Sequence, residues 1–417
     1  MRRAPDRAFR LAVATCAVGV FLVLVAFQSS VWDGTVPIPD TPHYRGYGDR
    51  MERGELPYRD FAVEYPPGAL PAFALPSLVA QGSVGYARAF AVLMVACGVA
   101  MVAFVALALA ALGAGRIRFV LAVGAPALTP VLLGPFVLTR FDLLPAALVA
   151  AATAALVAGR LRAGAATMGL ATAVKLYPGA LLPLVVVHVA RRRGRREAVL
   201  TAGLAVAVVA AVFAVFAVLA PEGIARSVWR QLDRPLQIES LGSAVLLALH
   251  HLADLPLGWE SSHGSQNLTG AVAVVAGVLV GLAQIAVVVW LWVRYARGPA
   301  EPERFVLYAA AVVVALVALG RVLSPQFLVW LLPLVPLVRG ARGLAASALL
   351  VVACLLTRGW FPSDYWALVR ELDGRASALV VLRDLCLVAL ATVLAWPTAR
   401  GRGSLRSQSP SPSPGRT

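Results

Sequence analysis

The sequence predicts an all-α polytopic integral membrane protein, with about ten to thirteen transmembrane helices at roughly 20 residues each and a large first extracytoplasmic loop. Three observations predict it. Hydrophobic residues make up 60% of the 417 positions and charged residues only 14%, against roughly 45–50% and about 25% in soluble domains. The mean hydropathy is +0.79. The apolar residues fall in long runs separated by short arginine clusters, the pattern of spans joined by cytoplasmic loops. A soluble cytosolic enzyme, a disordered chain, a collagen and a coiled coil are excluded. In a soluble protein a net charge of +16 would suggest nucleic acid; here the cations serve topology, and the expected surroundings are membrane lipids, with no nucleic acid.

The cationic clusters are Arg2/Arg3/Arg7/Arg10, Arg116/Arg118, Arg160/Arg162, Arg191 to Arg196, Arg294/Arg297/Arg304, Arg339/Arg342 and Arg400/Arg402/Arg406. With all of them in the cytoplasm, spans are predicted near residues 10–30, 86–113, 118–138, 142–159, 163–176, 178–190, 198–220, 270–293, 305–320, 326–338, 343–357 and 379–396. Both termini are then cytoplasmic. Residues 11–27 are too long and too evenly apolar for a cleaved signal, so they read as the first span. The stretch 67–80 is short and holds Pro71 and Pro76, as in an interfacial or re-entrant helix. Residues 1–396 form one membrane domain with extracytoplasmic loops at 31–66 and 221–269. The segment 397–417, with Ser-Pro repeats and arginines, reads as a disordered cytoplasmic tail.

The carboxylates agree independently. Asp33, Asp40, Asp49, Glu52, Glu55, Asp60 and Glu64 all fall in the first outer loop, and five more acids fall in the second. Function is therefore expected on the outer face, since the inner loops are short and contain little but arginine.

Two hairpins strain the span lengths. Residues 163–190 must go out and return, with about 21 Å per arm at 1.5 Å per residue, short of a ~30 Å hydrocarbon core. Residues 305–338 face the same demand. Broken helices of this kind survive only when sheltered in protein or lining a cavity. Their tips carry Lys175-Leu-Tyr177-Pro178 and Arg321-Val-Leu-Ser324-Pro325-Gln326, so cations stand at the apex of both.

Of the 37 basic residues all but one are arginine; the exception is Lys175. With the Ala, Val and Gly bias, this points to a GC-rich bacterial genome and hence to a bacterial cell membrane. Cys16, Cys97, Cys354 and Cys386 lie in apolar runs, where thiols pack as small core groups. No CxxC or Cys/His cluster exists, so neither a disulfide framework nor a zinc site is expected. Asn267-Leu-Thr269 matches a glycosylation sequon by chance, and His250-His251 belongs to a surface helix.

The first outer loop is unlike the rest of the chain. It is rich in aromatics, carboxylates, Gly and Pro, and residues 43–53 are expected to form a polar helix ended by Gly54 and Pro57. A carboxylate here would suit a general base that deprotonates an acceptor hydroxyl. Arg and Lys facing the same cavity would hold a departing phosphate, and Tyr and Trp faces would stack on a sugar. Against this stands the plainer reading of a solvated, salt-bridged loop. Lys175 either snorkels to the outer interface or lines the cavity, at an insertion cost of roughly 2.5–3.5 kcal/mol for a charge at mid-helix. Arg140 and Asp142 stand two apart, as a mutual pair or as substrate contacts.

The motifs have a telling order: Asp40-x-x-x-Tyr44, then Gly54-x-x-Pro-Tyr-x-Asp60-Phe61, then Glu64-Tyr-Pro-Pro-Gly68. Arg140-Phe-Asp142, Lys175-Leu-Tyr177-Pro178, Arg234-Pro-Leu-Gln237-Ile-Glu239-Ser240 and Ser324-Pro-Gln326 ahead of Trp330 and Pro333 follow. In this order they resemble glycosyltransferase family 87, which includes polyprenol-phosphate-mannose-dependent mannosyltransferases of actinobacteria, membrane enzymes of the GT-C type. The resemblance covers about residues 10–396. It implies transfer of a hexose, mannose, from a polyprenyl-phosphate-linked donor to a hydroxyl of a lipid or glycan acceptor, with inversion. It maps the catalytic base onto Asp40, with Asp33 and Asp60 as competitors. Cation placement puts Lys175, Tyr177, Arg321, Gln326 and Arg140 around the donor phosphate or sugar. Tyr44, Asp60, Glu64, Arg234, Gln237 and Glu239 are candidate acceptor or sugar contacts. No spacing argues for a metal, and the family's lipid-phosphate-sugar users work without one, so no cofactor is expected.

The competing class is a polytopic transporter or lipid flippase. That function places ionisable groups and discontinuous helices near the midplane. Here most carboxylates sit in two outer loops, with Arg383, Asp384 and Arg88 as the mid-span exceptions, and no internal repeat stands out.

Overall fold

The structure, a computed structural model, describes residues 6–396; the tail expected at 397–417 lies outside them. The chain is helical, in chain order α1 (Arg7–Ala26), α2 (Ser29–Asp33), α3 (Thr41–Glu52), α4 (Leu70–Val79), α5 (Gly82–Ala111), α6 (Arg116–Ala127), α7 (Thr129–Leu133), α8 (Leu143–Val157) and α9 (Leu161–Val174). There follow α10 (Leu182–Arg193), α11 (Arg195–Leu219), α12 (Pro221–Leu232), α13 (Leu241–Ala253), α14 (Ala271–Ala296), α15 (Pro302–Ala318), α16 (Gly340–Arg358), α17 (Tyr365–Glu371) and α18 (Gly374–Ala395). One departure from an all-α chain is a small hairpin in the second outer loop, β1 (Gly258–Ser262) with β2 (Ser265–Thr269), antiparallel. Its two-residue turn, His263-Gly264, has positive φ at both positions, the geometry whose twist suits a hairpin.

Among the described residues, six helices are long and apolar enough to cross a membrane: α1, α5, α11, α14, α16 and α18. The other six expected crossings are short or broken. Residues 118–138 divide into α6, α7 and a 3-10 turn over Pro135–Leu138. Pro130 and Pro135 lack the N–H that would continue the ladder, and Gly134 takes φ +89° between them. The arm expected at 326–338 is not a continuous helix. It is two 3-10 turns, Pro325–Trp330 and Val335–Leu337, because Pro333 and Pro336 lack the N–H that a continuous ladder needs. Residues 328–338 are buried, so the irregular backbone is sheltered by protein, as the bilayer requires. The first short hairpin forms as expected: α9 runs out to Lys175, a 3-10 turn over Tyr177–Leu181 reverses it, and α10 returns.

These short pieces make the core. Helix α8, Ala-rich and buried on nearly every face, packs between α5 and α9, with α11 outside α9. Helix α15, also largely buried, packs on α18, and α18 on α16. The most apolar stretch of α11 is almost wholly unburied, so it faces lipid. At the arginine-rich end, Arg118 binds Glu303 at 2.8 Å and the Leu337 carbonyl, and Arg162 binds Glu197 at 2.7 Å. At the opposite end the chain inserts α2 and α3, then α12, α13 and the hairpin, then α17.

Candidate active site

Asp40 precedes α3, and its carbonyl accepts the first N–H groups of that helix, from His43 at 3.0 Å and Tyr44 at 3.1 Å. Its carboxylate accepts a hydrogen bond from the Tyr44 hydroxyl one turn on, at 3.1 Å, and pairs with the Arg140 guanidinium. Arg140 also donates to the Ile38 carbonyl at 2.8 Å, clasping the strand of chain that leads into Asp40. The Arg140 side chain is 9% exposed and that of Asp40 24%. The guanidinium is thus closed off while the carboxylate keeps an open side.

Asp142 does not pair with Arg140. It accepts from Lys175 Nζ at 2.5 Å and from Trp330 Nε1 at 2.6 Å, both on Oδ1, while its buried Oδ2 has no partner. Lys175 lies over the faces of Phe141 at 4.4 Å, Trp330 at 5.0 Å and Phe327 at 5.4 Å. Cation–π contact of this kind partly offsets the cost of burying an ammonium. Tyr177 stacks flat on Trp330, 4.1 Å between centroids, with its buried hydroxyl unpartnered. Three consecutive residues, Arg140-Phe141-Asp142, therefore join two ion pairs, Asp40–Arg140 and Asp142–Lys175. Phe141 between them meets Tyr65 and Phe73 edge-on at 5.0 and 5.5 Å, and Tyr44 at 6.0 Å.

The Glu64-to-Gly68 motif lies against the end of α9. Gly68 must be glycine, because a Cβ there would stand 2.6 Å from the Ala173 carbonyl oxygen. Glu64 faces His43 at 3.6 Å. Burial pushes the Glu64 carboxyl up, but the hydrogen bond and charge of His43, with the charge of Arg234, leave it below the usual value. The nearby Glu64 carboxylate in turn raises His43, against its own partial burial, while the ring Nε2 stands 2.7 Å from the Tyr47 hydroxyl. The hairpin tip covers the same carboxylate: a Cβ on Gly264 would meet Glu64 Oε2 at 3.0 Å.

The run Arg234–Ser240 dips between these parts. Ile238 N–H donates to Gln266 at 3.0 Å and Leu268 N–H to Leu236 at 2.9 Å, so the run pairs with β2. Arg234 donates to Ser265 Oγ at 3.1 Å. The buried Gln237 amide donates to the Glu239 carboxylate. Burial pushes Glu239 up to about 7, with Arg383, Gln237 and Arg140 pulling it back.

Some expected residues stand elsewhere. Arg321 donates to the Leu232 carbonyl at 2.7 Å and lies along Gly277 and Gly281 of α14. Among the described residues it makes no ion pair with the Asp40 or Asp142 group; its backbone oxygen holds the Gln237 N–H at 3.0 Å. Gln326 accepts from Ser324 Oγ at 2.6 Å, beside Phe327. Asp60 is a surface residue, paired with Arg59 at 2.9 Å and accepting from the Leu56 N–H at 2.7 Å; the Arg59 hydrogen bond, then that N–H, hold it at about 2. Asp33 is exposed at the end of α2. Neither reaches Arg140.

Sequence reasoning missed the cage around Lys175 and the place of Tyr365. Phe327 and Trp330 are three apart in a 3-10 turn, which puts them on one face and stacks them at 4.0 Å. The segment 359–373 joins α16 to α18 and carries α17. Its Tyr365 is buried, which chiefly raises its hydroxyl, with the charges of Glu239, Arg140 and Asp40 as smaller influences. Its aromatic cluster of Trp360, Phe361, Tyr365 and Trp366 was the available signal. Among the described residues no group of three or more His, Cys, Asp or Glu side chains is placed to hold a metal ion.

The profile of Glycosyltransferase family 87 matches residues 63–325. In the crystal structure of ArnT from Cupriavidus metallidurans bound to undecaprenyl phosphate, the protein aligns with 90% of this chain over 76% of its own, at 14% identity and a TM-score of 0.47. No curated protein matches significantly. The family match takes in well over half of the chain, including Glu64, Arg140, Asp142, Lys175 and the Arg234–Ser240 run, with Asp40 just ahead of it. The chain is a multi-pass membrane protein that belongs to glycosyltransferase family 87.

Proposed function

We propose that this glycosyltransferase moves a hexose, mannose, from a polyprenyl-phosphate-linked donor to a hydroxyl of a lipid or glycan acceptor on the extracytoplasmic face of a bacterial cell membrane, with inversion and with Asp40 as general base. The observation that carries the reading is the junction of Asp40–Arg140 with Asp142–Lys175 through Phe141. A carboxylate with an open side and a caged ammonium are thereby tied to one short segment, at the helix ends away from the arginine clusters. That arginine bias supports the outer face. The choice of mannose rests on the family resemblance.

In this reading the acceptor oxygen gives its proton to Asp40 and bonds to the anomeric carbon. The bond from that carbon to the phosphate oxygen breaks, and its electron pair leaves with polyprenyl phosphate, whose charge goes from −1 to −2. Lys175 and Arg140 meet that growing charge, the preorganised electrostatic help that counts most in a water-poor site. A phosphate drawing on Arg140 also loosens its hold on Asp40, so donor binding frees the base. The prenyl chain lies among apolar helices, and no metal or cofactor takes part.

The test is transfer of label in membranes carrying the protein, from radiolabelled polyprenyl-phosphate mannose and, in parallel, polyprenyl-phosphate glucose, to added acceptors. Label should move from the mannosyl donor, with inverted configuration in the product. Transfer only from a nucleotide sugar, or with retention, would contradict the reading.

A further inference from the structure

Arg383 and Asp384 are buried on the inward stripe of α18, where Ala376, Val380, Leu387, Leu390 and Leu394 supply the other contacts. Arg383 stands nine residues into the helix, about 14 Å from its start. Its Nε contacts Asp384 Oδ1 at 2.6 Å, and its Nη2 donates to the Glu239 carbonyl at 2.5 Å. Asp384 Oδ2 has no partner, and neither do Glu239 Oε1 and Gln237 Oε1, all buried. An ion pair this deep in a span is costly, and its replacement by apolar residues of similar volume is often neutral or stabilising. Stability therefore gives no reason for it. What it does hold is the Arg234–Ser240 run, from the side away from β2.

The surrounding charges order the site. Those acting on Glu239 are Arg383, Arg140 and Asp384, and those acting on Lys175 are Asp142, Asp40 and Arg140. Arg140 is common to both sets. An inverting displacement needs the nucleophile and the leaving phosphate on opposite faces of the anomeric carbon. With the phosphate at Lys175, the acceptor needs polar partners that the two ion pairs leave unused, and buried Gln237 and Glu239 are such groups. Two buried oxygens without donors call for O–H groups, which a polyol supplies several at a time.

Resting on the reading above, we propose that Arg383 and Asp384 are positioning residues for the acceptor: from within the last span they hold Gln237 and Glu239 beside Arg140, as a subsite for a polyhydroxylated acceptor such as a glycoside. The acceptor hydroxyl that reacts goes to Asp40, and its neighbours donate to Gln237 and Glu239.

The experiment uses the full chain in nanodiscs, polyprenyl-phosphate mannose as donor, and octyl α-mannoside or 1-octanol as acceptor probe. The double variant Arg383→Met with Asp384→Leu removes both charges together and leaves neither unpaired. Its Tm should match wild type within a few degrees, with the KM for octyl α-mannoside raised at least tenfold and the donor KM changed less than twofold. Arg383→Lys should recover part of the acceptor KM. Wild type should prefer octyl α-mannoside to 1-octanol, and the double variant should lose that preference. Should the double variant not fold, Glu239→Gln, which leaves the Arg383 contact to the backbone in place, must raise the same KM tenfold. Wild-type transfer with unaltered acceptor KM in the folded variant, or a donor KM that rises equally, overturns this inference alone. Wild type that transfers from no polyprenyl-phosphate sugar overturns the reading beneath it as well.

Discussion

Arg140 and Asp142 are separated by one residue, yet each turns to a different partner: Arg140 to Asp40, and Asp142 to Lys175. Phe141 between them is fully buried and fixes the divergence. The short 3-10 turn before Arg140 and the start of α8 after Asp142 aim the two side chains apart. A basic loop residue and a hairpin-tip lysine are thereby tied into one electrostatic unit.

The Asp142–Lys175 half of that unit has separable structural and functional parts. Lys175→Ala leaves a buried carboxylate uncompensated, which costs about 3–5 kcal/mol. Adding Asp142→Asn removes the stranded charge and restores most of the stability, but not the cation. In detergent-solubilised protein the single variant should melt well below wild type and the double variant near it, while both show a raised donor KM. A double variant with wild-type donor KM would mean that Lys175 serves only its own burial.

Gly68 sets how closely the first outer loop approaches α9. Gly68→Ala pushes a Cβ toward the Ala173 carbonyl, 2.6 Å away, and backbone cannot swing aside as a side chain can. The expected cost is about 1–3 kcal/mol, with slower transfer, because the end of α9 that carries Lys175 is displaced. Unchanged melting and turnover would show that the contact is slack.

The His43–Glu64 pair predicts a pH window. His43 lies above 6.5 through its proximity to the Glu64 carboxylate, so its contribution is complete below pH 6.5 and fades as pH rises through the raised value. Glu64 lies below 4.5, with burial opposing and His43 and Arg234 prevailing. Its contribution is complete above pH 4.5 and fades as pH falls through the lowered value. Loop stability should therefore plateau between these two pH values. His43 is largely exposed, so the effect stays below about 1 kcal/mol. His43→Gln should flatten the alkaline limb of a Tm-against-pH curve; a limb that persists would place its origin elsewhere.

Much of this was legible in the sequence because the bilayer is a severe solvent. Arginine clusters and apolar runs located the six long spans, and the short α9–α10 hairpin announced itself by having too few residues for two crossings. The arm at 326–338 misled, since its composition is that of a span while Pro333 and Pro336 deny it a continuous ladder. The site was legible where motifs bring their own geometry, as with Asp40 and Tyr44 one helical turn apart. It was illegible where partners are distant in sequence. Nothing local says that Asp142 binds Lys175 and Trp330, that Arg321 braces a loop backbone, or that Arg383 reaches Glu239. The same distance hid the fact that Asp60 faces solvent while Asp40 meets Arg140. Family membership favours the enzyme over the transporter that the span count equally allowed.

The most direct measurement is single-turnover mannosyl transfer by Asp40→Asn in membranes, beside wild type and the Asp33→Asn and Asp60→Asn controls. General-base catalysis is worth about 10²–10⁴-fold. Asp40→Asn should lose that much rate with its donor affinity retained, while both controls remain within about twofold of wild type. A rate for Asp40→Asn equal to that of the controls would contradict the assignment of the base, and with it the arrangement of the site around Arg140.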